Sequence, residues 1–132
     1  MYLNLDQSFK PYKGDEVTYE SFNFPGGEPH IKITSDVSGD VIITHRIRSF
    51  NDFGTVFLAI DALKRMDCKD ISLMLPYFPA ARQDRVMVKG EPLTVKVFAN
   101  MINAFNLKNV YIFDPHSEVT PALLNNCKVI YN

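Results

Sequence analysis

A chain of 132 residues is long enough for one domain with its own core, burying roughly two thirds of the surface its unfolded form exposes. Its 46% hydrophobic and 22% charged residues are an ordinary globular balance, and a formal charge of −1 argues against duplex nucleic acid as partner, since neutralising phosphates needs a basic face. Cys68 and Cys127 are too few and too far apart in sequence to imply a disulfide framework or a zinc site and read as buried reduced thiols. With no leader pattern after Met1 and no apolar run of about eighteen residues, the expectation is a cytoplasmic protein that does not enter a membrane.

Tyr2, Leu3 and Leu5 predict a short first strand, and Lys10-Pro11-Tyr12-Lys13-Gly14 a turn. Val17 to Phe22 alternates in β-formers and predicts a strand that ends near Phe24-Pro25-Gly26-Gly27-Glu28. His30 to Thr34 alternates again, Val37 to Asp40 turns, and Val41 to Thr44 predicts a third strand of this turn-rich, antiparallel region. From Ser49 the period becomes helical: Phe53, Val56, Phe57, Ile60 and Leu63 share one face, Ser49 with Asp52 forms a capping box, and the helix runs to about Met66. Ile71 to Leu75 is a buried strand, and a long loop leads to a second amphipathic helix opened by Thr94 and marked by Val95, Phe98, Ile102 and Phe105. Val110 to Phe113 is a strand, Val119 to Asn125 a short helix, and Lys128 to Tyr131 a last strand. Alternation of strand and helix predicts an α/β domain whose mostly parallel sheet has right-handed crossovers and carries an antiparallel β extension.

Chemistry concentrates after two strands. Leu75-Pro76-Tyr77-Phe78-Pro79-Ala80-Ala81-Arg82-Gln83-Asp84-Arg85 forces the backbone out of the sheet at two prolines and then sets two guanidinium forks around an amide and a carboxylate. Such forks hold phosphate bidentately, and Gln83 and Asp84 can read polar edges or a hydrated cation, so a nucleotide polyphosphate fits; a solvated loop pairing its own charges fits the same pattern. Asp114-Pro115-His116-Ser117 follows the next strand and would emerge on the same sheet edge, although Asp114 could equally cap a helix and His116 sit on the surface. Asp52-Phe53-Gly54 spells a kinase metal motif but stands at a helix start without the companion loops, and Gly26-Gly27 lacks the Lys-Ser/Thr of a phosphate-binding loop.

The block Leu75 to Arg85, followed by Gly90-Glu91-Pro92-Leu93-Thr94-Val95-Lys96 and Phe98-Ala99-Asn100, resembles the ATP-binding segment of ribose-phosphate pyrophosphokinases, the phosphoribosyl pyrophosphate synthetases. Asp114 and His116 resemble that family's Asp-x-His motif, and Phe24 and Glu28 its Phe-x-x-x-Glu turn; the likeness covers most of residues 22 to 124. The chain departs from the pattern at Gly26, where Asn or Asp is usual, and at Met87, where an acidic residue often stands.

The resemblance implies a phosphoribosyltransferase-like, Rossmann-like three-layer domain. ATP would be bound by Phe24, Glu28, Arg82, Gln83, Asp84 and Arg85, with Phe24 as a base-stacking wall, and Asp114 and His116 would meet the Mg2+ that arrives with ATP. In the family, the 1-hydroxyl of ribose 5-phosphate attacks the β-phosphorus of Mg-ATP and AMP leaves. Residues 1 to 132 resemble only the amino-terminal half, so ribose 5-phosphate is expected to bind only with the absent carboxy-terminal domain, and the chain to form homo-oligomers and be inactive alone. The alternative is a non-catalytic regulatory or assembly module that joins full-length synthetases. A phosphoribosyltransferase-like domain is a weaker third reading, because no ribose-phosphate loop is found.

Overall fold

The computed structural model describes residues 1–8, 10 and 14–132, and the turn expected across Lys10 to Gly14 lies partly outside them, at Pro11, Tyr12 and Lys13. Five strands form one parallel sheet in the order β1 (Tyr2–Asn4), β4 (Val41–Thr44), β5 (Ile71–Leu75), β6 (Val110–Phe113) and β7 (Cys127–Ile130). A separate antiparallel hairpin pairs β2 (Tyr19–Asn23) with β3 (Pro29–Ile33). The helices are α1 (Phe50–Arg65), α2 (Thr94–Asn103) and α3 (Val119–Leu123). Each follows a sheet strand and leads to the neighbouring one, the connection that parallel pairing requires.

One expectation about this sheet is corrected. Val41 to Thr44 was expected in the antiparallel region, yet β4 runs parallel to both β1 and β5. Burial gives the reason: Val41, Ile43 and Thr44 are fully enclosed, as suits a strand inside a parallel sheet. The alternation that marks a half-exposed strand belongs to β3, where only Ile31 is buried.

Local chemistry sets the ends of α1. Ser49 Oγ accepts the Asp52 N–H at 3.2 Å, while Asp52 Oδ2 accepts the N–H of Arg48 at 2.7 Å, one residue before the position a capping box would use. At the other end Cys68 N–H reaches Leu63 O at 3.0 Å and Asp67 N–H reaches Lys64 O at 3.1 Å, with Asp67 in the left-handed region at φ 62°. These are the two bonds of a Schellman turn, and they satisfy carbonyls that a helix end leaves open. Phe53, Val56, Ala59, Ile60 and Leu63 face the core. A Cβ at Gly54 would lie 3.0 Å from Pro29 Cγ, so the glycine lets the hairpin lie close against the helix.

At α2 the expected cap is replaced. Leu93, not Thr94, is the N-cap and makes no side-chain bond; the N–H of Val95 instead donates to the backbone carbonyl of Gln83 at 3.3 Å. The arginine-bearing loop therefore closes the helix that follows it, which ties its path to the core.

A polar cluster lies where β1 and β4 end. Asp6 is buried; its Oδ1 accepts the Ser8 N–H at 2.9 Å and its Oδ2 accepts Arg48 Nη1 at 3.1 Å. His45 is 6% exposed, its Nε2 is 3.6 Å from Asp52 Oδ1, and its Nδ1 is buried without a hydrogen-bond partner. Burial pushes the imidazole below its ordinary pKa, and Arg48 adds to this; the nearby Asp52 and Asp6 carboxylates oppose it and do not prevail. Burial also works to raise the Asp6 carboxyl, but the Ser8 bonds and Arg48 outweigh it and hold the group below its usual range.

These shifts act at different pH. The unfolded chain takes up a proton on His45 near 6.5 that the folded chain refuses, so stability falls as pH drops below that value, by at most about 1.4 kcal/mol per pH unit. The Asp6 contribution is present above the unfolded carboxyl value of 3.8 and is lost only as pH falls through the lower folded value. Urea midpoints measured from pH 7 to pH 5 should decline in the native chain and decline less in His45→Gln; equal slopes would show that His45 is not the group responsible.

Candidate functional site: a cleft between two strand-end loops

β5 and β6 are neighbours with Leu75 opposite Ile112, so the loops that follow them leave the same sheet edge side by side. In open parallel sheets that edge is where ligands are held. The first loop is anchored by Phe78, which is 2% exposed, and by Ala81, whose N–H donates to Phe78 O at 3.2 Å. Tyr77 turns outward instead. With that anchor set, Ala80 takes φ 62° and its carbonyl accepts the Gln83 N–H at 2.9 Å, which presents Arg82, Gln83 and Arg85 to solvent. The second loop also holds a residue in the left-handed region, Asp114 at φ 38°. Non-glycine residues in that region cost energy, least for Asp and Asn.

The loops enclose a cleft of about 240 Å³ whose walls include Tyr77, Arg82, Phe113, Asp114 and His116. Arg82 also borders a second cleft, of about 320 Å³, with Gln83, Arg85, Met87 and Glu91. One guanidinium therefore stands at the junction of two recesses, free to bond into either.

Asp84 behaves differently from its neighbours. Its side chain is 10% exposed, Oδ2 accepts the Ser117 hydroxyl at 2.6 Å, and Oδ1 stands 3.9 Å from Arg85 Nε. The Ser117 bond is the main reason its carboxyl lies below the ordinary value; Arg85 and His116 add to the effect. Asp114 is engaged as well, Oδ1 accepting the Asn132 N–H at 3.1 Å and Oδ2 the Asn132 Nδ2 at 2.6 Å. Among the described residues no three His, Cys, Asp or Glu side chains converge on a metal position.

Phe24 and Glu28 stand elsewhere and line neither of these clefts. They sit at the exposed hairpin turn, which Asn51 Nδ2 ties to α1 through Gly27 O at 3.1 Å. Phe24 is 45% and Phe22 52% exposed, and both rings lie 5.1–5.3 Å from each other and from His30. Glu28 folds back over the turn: a Cβ at Gly26 would lie 2.7 Å from its carboxylate, so the glycine leaves room for it.

Ser117 is the member of the site that sequence reasoning missed. Its position beside His116 at a strand end was the available signal, but a hydroxyl carries no charge to draw attention.

Comparison with known proteins identifies the architecture. Residues 12–105 match the N-terminal domain of ribose phosphate pyrophosphokinase. The chain belongs to this family. A putative ribose-phosphate pyrophosphokinase 2 from Streptococcus pyogenes is 36% identical over 100 residues, 74% of this chain and 31% of the relative. Ribose-phosphate pyrophosphokinases of Mycoplasma pneumoniae and Helicobacter hepaticus are 36% and 38% identical over 105 and 98 residues, covering 77% and 72% of this chain and 32% of each relative. The matched chain thus spans about a third of the length of these curated relatives. The crystal structure of phosphoribosylpyrophosphate synthetase from Mycobacterium smegmatis superposes with a TM-score of 0.76 at 23% identity over 89% of this chain and 40% of that one, which establishes the phosphoribosyltransferase-type fold. No helix among the described residues is long and apolar enough to cross a membrane.

Proposed function

We propose that this chain is the ATP side of a cytoplasmic ribose-phosphate pyrophosphokinase, the part that holds Mg-ATP while a second domain presents ribose 5-phosphate. The observation that carries this reading is the cleft in which Arg82 faces the His116 loop at the carboxyl edge of β5 and β6. Arg82 has the fork to hold a phosphate bidentately, and Arg85 and Gln83 border the adjoining recess where the rest of a nucleotide can lie. Magnesium comes as part of the substrate, coordinated by the phosphates and water, with His116 as the side chain nearest in chemistry to that shell. Asp114 would first have to release Asn132. Asp84 is bonded to Ser117 and steadies the loop that carries Arg82.

Positioning and charge neutralisation are most of what a protein supplies to such a transfer, and this chain supplies the donor half of both. On this reading the working form is a homo-oligomer, and Phe24 and Glu28 would contribute to the nucleotide site from the hairpin, which lines neither cleft. Of the two apolar faces that would favour a purely structural module, Val41 and Ile43 are fully buried, while α1 leaves Leu58 40% and Phe50 72% exposed.

The test is to mix the purified chain with ribose 5-phosphate and Mg-ATP and follow AMP. No AMP is expected from the chain alone. AMP that appears, and vanishes in Arg82→Ala, would show that this chain completes its own site and would overturn the half-enzyme account.

A further inference from the structure

We propose that Ser117 and Asp84 form a clasp that holds the two strand-end loops at a fixed separation, making Ser117 a positioning residue for the cleft between Arg82 and His116. The inference rests on the reading of that cleft as the nucleotide site. The hydroxyl donates to Asp84 Oδ2 at 2.6 Å and accepts the Val119 N–H at 3.2 Å, so a single oxygen links the first loop, the second loop and the start of α3. The donor and one of the two acceptor sites of the hydroxyl are thereby used within the protein. Asp84 lies between Gln83, whose carbonyl holds α2, and Arg85, so the clasp connects through one residue to the helix behind the cleft. A charge-assisted bond of this length is among the stronger side-chain contacts available at a half-buried position.

Arg82 and His116 sit on separate loops, each carrying a strained residue, Ala80 in one and Asp114 in the other. Without a cross-link each loop could relax on its own. With it, the phosphate-holding fork and the imidazole keep one spacing before any ligand arrives, and binding costs less ordering. A structural role confined to α3 would protect the Val119 amide alone; the clasp also requires protection of the Asp84 loop, 33 residues away in sequence.

The experiment compares wild type, Ser117→Ala and Ser117→Thr without ligand and with Mg-ATP. Without ligand, amide exchange of Ala81 and Gln83 should quicken about tenfold in Ser117→Ala, as loss of one bond to a carboxylate predicts. Threonine keeps the hydroxyl and should restore slow exchange. Carbon NMR of the Asp84 carboxyl should show a titration below the ordinary carboxylate range in wild type and a return toward it in Ser117→Ala. Unchanged exchange at Ala81 and Gln83, or an unmoved Asp84 titration, would overturn the clasp. With Mg-ATP, the affinity of Ser117→Ala should fall several-fold, and equal affinity in the two chains would contradict the positioning role. If wild type itself fails to bind Mg-ATP while the exchange and titration effects hold, the clasp stands and the nucleotide reading of the cleft fails.

Discussion

Replacing Phe78 by alanine lowers the unfolding free energy by about 3–5 kcal/mol, a large share of the roughly 5–15 kcal/mol that holds a domain together. Phe78 is 2% exposed and belongs to the hydrophobic core, yet it stands in the loop after β5 and not in a strand or helix. Removing the ring leaves a cavity in the core and frees the backbone that places Ala81 and Arg82. Phe78→Leu refills part of the space and should recover most of the loss. Urea unfolding would check this: a lower midpoint at unchanged slope is expected, and a loss under about 1 kcal/mol would show that Phe78 is not an anchor.

Arg82→Ala should weaken Mg-ATP binding by about ten- to a hundredfold, the effect of losing a hydrogen-bonded charge from a phosphate site. Stability should hardly change, because the side chain is exposed. Lysine keeps the charge but loses the planar fork, so Arg82→Lys should recover only part of the affinity. Calorimetric titration of the three chains would test this. Equal affinity in wild type and Arg82→Ala would remove Arg82 from the site.

Much of this could be read from residue patterns alone. The helical period from Phe53 to Leu63 and the proline-broken exit after Leu75 led to the α/β architecture and to the sheet edge where the Arg82 and His116 loops meet. The direction of β4 was not legible, because four residues look the same in parallel and antiparallel strands, and its partner Tyr2–Asn4 lies about forty positions away. The cap of α2 was misplaced because a backbone carbonyl, that of Gln83, took the part a threonine hydroxyl could have played, and carbonyls are invisible in a sequence.

The candidate site divided along the same line. Arg82 and His116 were placed together because strand ends in a parallel sheet share an edge. The separation of Phe24 and Glu28 from them depends on where the hairpin packs, which Gly54 and Asn51 decide through contacts with Pro29 and Gly27. Asp84 reads as a ligand residue by its charge, and its bond to Ser117 depends on how the two loops pack, which the sequence does not show.

The central claim, that the cleft between the Arg82 and His116 loops holds Mg-ATP, is tested most directly by heat denaturation of the chain at rising Mg-ATP, with magnesium alone as control. A ligand that binds the folded state adds about 2.7 kcal/mol of stability at a hundred times its Kd. The midpoint should climb with nucleotide concentration in wild type, and the same climb in Arg82→Ala should need about ten to a hundred times more nucleotide. No rise at any concentration, or the same rise at the same concentrations in Arg82→Ala, would contradict it.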